Sequence, residues 1–236
     1  MQFFNNFAVF YIKQKHSKRM KISTAWKSII IVSVIIVFDQ ALKIWIKTNM
    51  EHGESFSVFG NWFLIHFIEN PGMAFGWKFG GKAGKLFLSI FRLLAIVAFT
   101  WYLVKIIKEK APQGFIISVS LVLAGAIGNM IDCAFYGLIF DTGTTFNVET
   151  GEYDYYYNSI SKFSLDGYAT FLHGCVVDML SFPIFEGFYP EWLPILGGKR
   201  FVFFGPIFNI ADSAVTTGVL SIVIFYWGYL KKVEYS

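Results

Sequence analysis

The chain alternates between polar segments and long apolar runs, and four of these runs are long enough to cross a bilayer. A hydrocarbon core about 30 Å thick needs roughly 20 apolar residues, which must be helical because an unpaired backbone amide in lipid costs several kcal/mol. The pattern therefore predicts transmembrane helices at residues 28–46, 86–104, 114–131 and 206–230. The predicted fold is membrane all-α, with residues 1–236 forming a single domain.

The basic residues lie beside particular ends of these runs and predict the orientation of the chain. Segments rich in Lys and Arg remain on the cytoplasmic side of the membrane. Such residues precede the first run, separate the second from the third, and follow the fourth: Lys13, Lys15, Lys18, Arg19, Lys21 and Lys27, then Lys105, Lys108 and Lys110, then Lys231 and Lys232. Both termini are therefore predicted to be cytoplasmic, and residues 47–85 and 133–205 extracytoplasmic. Residues 1–19, which precede Met20, are interpreted as a dispensable extension or as a misassigned start.

The two extracytoplasmic segments differ in character. Residues 56–79 are rich in aromatic and β-branched side chains and predict short strands at the membrane surface. Residues 138–174 are polar and aromatic, and they are interpreted as an extracytoplasmic insertion. Its composition fits either a solvated loop or a segment that binds substrate.

The composition supports the membrane class and excludes other functions. Hydrophobic residues make up 55% of the chain and charged residues only 15%, whereas soluble proteins have about a quarter charged residues. The net charge of +4 comes from basic residues at the ends of apolar runs, so nucleic-acid binding is excluded. The two cysteines have no CxxC spacing, so a metal site is not expected.

Ionisable side chains within predicted spans need a partner or a function, because burying a charge in lipid is unfavourable. Asp39 and Lys43 lie four residues apart and share one helix face, so we expect an ion pair. A structural, self-neutralising pair is the favoured interpretation of these two residues. Arg92 in the second run is expected to extend to the interface or to pair with a lipid phosphate.

The outer ends of the third and fourth runs carry the same spacing of amide and carboxylate. Asn129 precedes Asp132 by three residues, and Asn209 precedes Asp212 by three residues. Side chains at this spacing share a helix face, where an amide can donate a hydrogen bond that orients the carboxylate. Asp212 is predicted to lie about two turns inside the fourth helix.

A third carboxylate, Asp178, lies within the apolar run Val176-Val177-Asp178-Met179-Leu180. If it meets Asp212, the two cannot both ionise easily, and a pair that shares one proton can act as base and as acid. Spacing does not show that they meet. The residues alone leave open a catalytic pair and an ion-coupling relay.

Five motifs in order resemble the type II signal peptidase family, the lipoprotein signal peptidases. They are Asp39-Gln40-Ala41-Leu42-Lys43, Asn70-Pro71-Gly72-Met73-Ala74-Phe75-Gly76, Gly128-Asn129-Met130-Ile131-Asp132, Val176-Val177-Asp178 and Phe208-Asn209-Ile210-Ala211-Asp212-Ser213. Each motif alone is weak, but together on four predicted spans they form a specific signal over about residues 20–230.

The resemblance implies an aspartyl endopeptidase at the outer surface of the cytoplasmic (inner) membrane. Such an enzyme cuts lipid-modified prolipoproteins before the lipidated cysteine, with no metal or organic cofactor. Its expected partners are the prolipoprotein and membrane lipids, and we expect a monomer.

The resemblance also assigns roles to residues. The catalytic pair maps to Asp178 and Asp212, and the segment after the first span maps to a small β-structured cradle over the site. The residues that shape and support the site map to Asp39, Lys43, Asn70, Gly72, Asn129, Asp132 and Asn209.

Two departures from the family pattern affect this assignment. The family usually has Arg directly after the aspartate at position 132, whereas this chain has Cys133; His173, Lys199 and Arg200 are candidate replacements. The insertion also creates a second candidate for the first catalytic residue, because Asp141 follows Asp132 by nine residues in a similar apolar context. Asp178 is favoured because the apolar run continues after it, as far as Pro183.

Two questions stay open at this point. Removing the insertion would make Cys133 and Cys175 neighbours, which fits either a disulfide or two unrelated small apolar residues, and the second is favoured. The alternative function is a proton- or ion-coupled transporter, in which Asp39, Asp132 and Asp212 relay charge. Transporters usually contain internal repeats, and none is visible here.

Overall fold

The structure is a computed structural model that describes residues 22–72 and 81–234. The hypothesis about residues 1–19 and the motif residues Met73 to Gly76 lie outside this range. The helices of the described chain are α1 (Thr24–Asn49), α2 (Gly81–Lys108), α3 (Gln113–Ile131), a π-helical turn (Asp132–Tyr136), α4 (Gly137–Ile139), α5 (Ile210–Phe225) and α6 (Trp227–Glu234).

Three stretches of helix are long and apolar enough to cross a membrane, and they coincide with the first three predicted spans: Thr24–Asn49, Ala83–Lys108 and Gln113–Ile139. The fourth predicted span corresponds to the shorter apolar helix α5, which ends before Tyr226 and is followed by α6. Asn209 caps α5, so this helix begins at Ile210 and not at residue 206. The prediction that Asp212 lies two turns inside was therefore wrong, because this residue is in the first turn.

Helix α3 lies at the centre of the bundle, packed against α1, α2 and α5. Glycines allow α3 and α5 to approach closely: a Cβ on Gly125 would lie 2.1 Å from the carbonyl oxygen of Ala211, and one on Gly218 would lie 2.6 Å from that of Ser118. Small residues at helix contacts are typical of membrane bundles, where packing replaces the hydrophobic effect. The outward faces of α1 and α2 present exposed apolar side chains such as Phe38 and Phe87.

The strands of the described chain form three small antiparallel sheets. Their bounds are β1 (Ser55–Phe59), β2 (Phe63–Asn70), β3 (Thr145–Phe146), β4 (Tyr153–Asp154), β5 (Val176–Ser181), β6 (Phe185–Phe188) and β7 (Arg200–Phe203). The strands predicted between residues 56 and 79 are present as β1 and β2. They form a sheet in the order β1-β2-β5, in which Asp178 of β5 lies opposite Ile68 of β2. The β6–β7 hairpin was not predicted.

The insertion at residues 138–174 is attached to the membrane domain by buried polar contacts. Lys47 at the C-terminal end of α1 is fully buried, forms an ion pair with Glu69 of β2, and donates to the carbonyl oxygen of Thr142 at 2.9 Å. The other carboxylate oxygen of Glu69 accepts from the amide of Thr144 at 2.6 Å. The insertion is therefore packed against the helices and the sheet, in contrast to a freely solvated loop.

Candidate active site

Asp178 lies in the middle of β5, with only 2% of its surface exposed. The side-chain amide of Asn209 donates to its Oδ1 at 2.6 Å, and that of Asn70 donates to its Oδ2 at 3.3 Å. Burial and, after it, the charge of Asp212 raise the pKa of Asp178 to about 7, against the lowering effect of these hydrogen bonds. Asp178 is therefore a carboxyl group that can hold a proton near neutral pH.

Asp212 lies in the first turn of α5, where its carboxylate is oriented by two donors. The side-chain amide of Asn129 donates to Oδ1 at 2.7 Å, and the backbone amide of Asn209 donates to Oδ2 at 3.3 Å. In return, the backbone amide of Asp212 donates to the side chain of Asn209 at 2.8 Å, which completes a capping box. A carboxylate at this position also interacts favourably with the positive end of the helix dipole.

Asn209 links the two carboxylates. Its side-chain nitrogen contacts Asp178 and also lies 3.1 Å from Oδ1 of Asn129 and 3.3 Å from the carbonyl oxygen of Val177. This side chain is completely buried. Since Asn129 and Val177 belong to α3 and β5, one asparagine fixes the start of α5 relative to both of these elements.

A buried lysine lies behind the two asparagines. Lys43 Nζ is 2.8 Å from Asp39 and 2.8 Å from Asp132, and it donates to Oδ1 of Asn129 at 2.9 Å. The predicted pair of Asp39 and Lys43 is present, but it is part of a larger cluster. Through Asn129 this cluster is connected to Asp212, so the isolated structural pair favoured above is too simple.

The two carboxylates that form ion pairs with Lys43 also accept hydrogen bonds from backbone amides. Oδ1 of Asp39 accepts from the backbone amide of Ala211 at 2.9 Å, and Oδ2 of Asp132 accepts from that of Val177 at 3.3 Å. Ala211 precedes Asp212, and Val177 precedes Asp178. The lysine cluster thus positions the backbone that carries each of the two candidate catalytic residues.

Two residues of this cluster were missed by the sequence analysis. Gln40 donates to Asp132 at 2.8 Å and to the carbonyl oxygen of Gly128 at 3.1 Å. Tyr136, almost fully buried, donates to Oε1 of Gln40 at 3.1 Å. Gln40 stands inside the first of the five motifs, so its place in that motif was the available signal. Nothing in the sequence pointed to Tyr136.

Asn70 and Gly72 lie at the end of β2. The Oδ1 atom of Asn70 accepts from the backbone amide of Gly72 at 2.9 Å, which leaves its side-chain nitrogen directed at Asp178. Gly72 has φ of +96°, a conformation that favours glycine because it has no Cβ. The turn therefore holds Asn70 in the orientation that contacts Asp178.

Asp141, the competing candidate, has a different environment. It lies exposed on the insertion and accepts from the backbone amide of Lys162 at 2.8 Å and from the hydroxyl of Ser161 at 3.3 Å. The hydrogen bond from Lys162 lowers the pKa of Asp141. These contacts indicate that Asp141 stabilises the conformation of a loop. Asp178, in contrast, is hydrogen-bonded to Asn209, which also donates to Asp212.

The two cysteines are free thiols, so the structure contains no bridge between them. Each contacts a basic side chain of α2: Arg92 Nη1 lies 3.0 Å from the sulfur of Cys133, and Lys85 Nζ lies 3.1 Å from that of Cys175. The guanidinium of Arg92 thus contacts a protein side chain, and its extension to the interface stays a prediction.

The cations suggested as replacements for the family arginine have other environments. Arg200 forms an ion pair with Glu186 across the β6–β7 hairpin, and Lys199 is exposed beside it. His173 Nδ1 lies 3.1 Å from the hydroxyl of Thr170. The basic group beside position 133 is Arg92. In the part of the chain that the structure describes, no group of three or more His, Cys, Asp or Glu residues could hold a metal ion.

A family profile and the sequences of similar proteins both relate this chain to the lipoprotein signal peptidases. The profile of a family described as "Signal peptidase (SPase) II" matches residues 30–228. The lipoprotein signal peptidase of Porphyromonas gingivalis is 42% identical over 199 residues, which cover 83% of this chain and 80% of that protein. That of Amoebophilus asiaticus is 35% identical over 204 residues, which cover 84% and 77% of the two chains.

The fold is also similar to that of a solved structure, a bacterial membrane enzyme studied by the in meso method at 1.9 Å resolution. It is 29% identical in sequence, with a TM-score of 0.51 over 85% of this chain and 92% of that one. This similarity and the long apolar helices indicate a membrane-embedded protein. They do not favour the transporter alternative.

Proposed function

Because this chain belongs to the signal peptidase II family, we propose that it removes signal peptides from diacylglyceryl-modified prolipoproteins, with Asp178 and Asp212 as its catalytic pair. The cut falls immediately before the lipidated cysteine. The enzyme is a protease, and we propose that it is of the aspartic type.

The arrangement of Asn209 supports the catalytic pair most directly. This residue donates to Asp178 through its side chain and to Asp212 through its backbone. Both carboxylates are thus held at one site, where the charge of Asp212 contributes to the raised pKa of Asp178. Two carboxylates that share one proton can take a proton from water and give one to the leaving amine.

The mechanism follows from which carboxyl group holds the proton. Asp178, with its pKa near 7, carries the proton in the resting state. Asp212 takes a proton from a water molecule as that water attacks the scissile carbonyl carbon. Asp178 gives its proton to the carbonyl oxygen, which produces a tetrahedral gem-diol. Asp212 then gives the proton it took from water to the amide nitrogen, Asp178 takes a proton back from the gem-diol, and the C–N bond breaks to leave a carboxylic acid and a free amine. No covalent intermediate with the enzyme forms.

The other residues position the pair. Asn70, Asn129 and Asn209 donate hydrogen bonds to the carboxylates, while Gly72 holds the turn at Asn70. The cluster of Asp39, Lys43 and Asp132 holds the backbone beside each carboxylate. This division of roles explains why polar residues from α1, α3, β2, β5 and α5 converge on one point.

The membrane arrangement is part of the proposal. The chain forms one domain in the cytoplasmic membrane, with α5 as the fourth helix, both termini in the cytoplasm and the active site at the outer surface. The exposed apolar faces of α1 and α2 offer a surface for the substrate's acyl chains within the bilayer. The enzyme acts as a monomer and needs no metal or organic cofactor.

The position of the cut provides a direct test. The purified protein, in nanodiscs, is incubated with a prolipoprotein bearing a diacylglyceryl group on its cysteine, and the products are identified by mass spectrometry. A product that begins with the lipidated cysteine supports the proposal. A cut elsewhere, or equal cleavage of the unlipidated protein, contradicts it.

A further inference from the structure

A second polar site lies on the side of α2 that faces the insertion. Lys85 and Ser89 are both buried, and the hydroxyl of Ser89 donates to the carbonyl oxygen of Leu172 at 3.0 Å. Lys85 Nζ lies 3.1 Å from the sulfur of Cys175 and 6.0 Å from the centre of the Tyr153 ring. Lys85 is thus a cation with only 6% of its surface exposed, and its neighbours include the thiol of Cys175 and the ring of Tyr153.

The carboxylates of the described residues form no ion pair with this cation. Among residues 22–72 and 81–234, no carboxylate lies within ion-pair distance of Lys85, whereas Lys43 and Lys47 each have at least one. Burial raises the pKa of the Cys175 thiol to about 11, so this partner is neutral at physiological pH. A buried charge without a counter-charge is costly. The site therefore has the electrostatics of an anion-binding site.

A cavity of about 710 Å³ adjoins this cation. Its lining includes Lys85, Tyr153, Asp166, Tyr168 and His173, so the insertion supplies most of its wall. Asp166 is exposed and makes no ion pair with Lys85. The cavity is large enough for part of a peptide, and a cation at its wall selects for an acidic group.

The side of α2 on which Lys85 lies indicates whether an anion would reach it from the lipid or from the aqueous phase. On α2, the strongly exposed side chains nearest to it are Phe87 and Phe91, at 66% and 61% exposure. At about 100° per residue, Phe87 lies about 160° and Phe91 about 120° around the helix axis from Lys85, so both face away from it. Lipid therefore contacts the other face, and the cavity beside Lys85 belongs to the polar, extracytoplasmic side.

We propose that this cavity binds an acidic side chain in the segment of the prolipoprotein that follows its lipidated cysteine, with Lys85 as the cation that recognises it. The inference rests on the proposed function. That segment is the polar part of the substrate, while the signal peptide and the acyl chains remain in the bilayer. Cys175, which contacts Lys85, precedes Asp178 by three residues, about 10 Å in an extended strand. An extended peptide covers the same distance with a few residues after the cut.

Binding of the cleaved product tests the inference independently of catalysis. Two synthetic peptides begin with diacylglyceryl-cysteine and continue with either Glu or Gln at the positions that follow. Their affinity for the full chain is measured by fluorescence anisotropy in nanodiscs of zwitterionic lipid. The Glu peptide is expected to bind about tenfold more tightly than the Gln peptide, because a hydrogen bond between charged groups exceeds a neutral one.

Variants assign this preference to one residue. Lys85→Gln should reduce the preference to about one, and Lys85→Arg should retain most of it. Lys105→Gln is the matched control: Lys105 lies on the same helix but is half exposed and paired with Glu109, so the preference should not change. An equal affinity of the wild type for both peptides overturns the inference, and so does a preference that survives in Lys85→Gln.

A lipid headgroup is the competing ligand, and anionic lipid distinguishes the two. Adding phosphatidylglycerol to the nanodiscs should leave the tenfold preference in place. If this lipid abolishes the preference in the wild type and has no effect in Lys85→Gln, the cation binds phosphate and the peptide proposal is wrong. Failure of the cleavage test above, with the binding preference intact, would instead contradict the proposed function.

Discussion

The side-chain nitrogen of Asn209 lies 2.6 Å from Oδ1 of Asp178, and the same residue caps the helix whose first turn carries Asp212. One side chain therefore sets both the orientation of the first carboxylate and the position of the second. Asn209 accordingly has two roles that a suitable substitution can separate.

Asn209→Ser is expected to keep the helix cap but to remove the donor to Asp178. Serine is a good capping residue, so α5 should stay capped, and the apparent melting temperature should fall only through the lost contacts of the side-chain nitrogen with Asn129 and with the carbonyl oxygen of Val177. Asp178 is protonated in the resting state, so the lost hydrogen bond to this neutral carboxyl group corresponds to roughly 0.5–1.5 kcal/mol, and kcat should fall about 2- to 10-fold. Asn147→Ser on the insertion, whose side chain bonds the exposed Asp154, is the matched control and should retain full activity. A kcat of Asn209→Ser equal to that of the wild type would show that this contact is not used.

The rate should depend on pH through Asp178. Its pKa is raised to about 7, first by burial and then by the charge of Asp212. The mechanism needs the protonated form, which is present below this pKa and is lost as the pH rises through it. We therefore expect kcat/KM of the wild type to decline above about pH 7, measured with a lipidated peptide under constant ionic strength. A rate that keeps rising through pH 9 would contradict the assignment of the proton to Asp178.

Lys43→Met is expected to destabilise the protein strongly. Lys43 lies between Asp39 and Asp132, all of them buried, and its removal leaves two carboxylates without a counter-charge. Breaking a buried pair in this way costs about 3–5 kcal/mol. The matched change Lys105→Met removes an exposed pair with Glu109, which contributes at most about 1 kcal/mol. Thermal unfolding in detergent, followed by circular dichroism, should show a large fall only for Lys43→Met.

Gly125→Ala is expected to separate α3 from α5. The added Cβ would lie 2.1 Å from the carbonyl oxygen of Ala211, a backbone atom that cannot rotate away. Overpacking of this kind costs about 1–3 kcal/mol, and it displaces the turn that contains Asp212. Both stability and kcat should fall. Gly228→Ala, with nothing within 4 Å of the new atom, is the control that should leave both unchanged.

Much of the site could be predicted because its residues are three or four positions apart on one helix face or belong to recognisable motifs. Asn129 and Asp132 lie on one face of α3 and the following turn, and Asp39 and Lys43 lie on one face of α1, as helical periodicity requires. The sequence could not show that Lys43 lies between two carboxylates, since Asp132 comes from a distant part of the chain. It also did not predict that Asp178 lies in a strand paired with β2, because this pairing is non-local.

The insertion was the least predictable part. Its buried contacts, such as that of Glu69 with Thr144 and that of Ser89 with Leu172, join segments far apart in the sequence. Neither helical nor strand periodicity encodes such pairs. The start of α5 at Ile210 was missed for another reason: hydropathy continues through residues 206–209, whereas the capping geometry of Asn209 determines where the helix begins.

The central claim, that Asp178 and Asp212 are the catalytic pair, is tested most directly by cleavage of a lipidated prolipoprotein by three isosteric variants. Asp178→Asn and Asp212→Asn should each lower kcat by at least about 100-fold, the lower range for loss of an acid or base. Asp141→Asn should cleave like the wild type, with unchanged elution and melting temperature in all three. Loss of activity in Asp141→Asn with activity retained in Asp178→Asn would contradict the account.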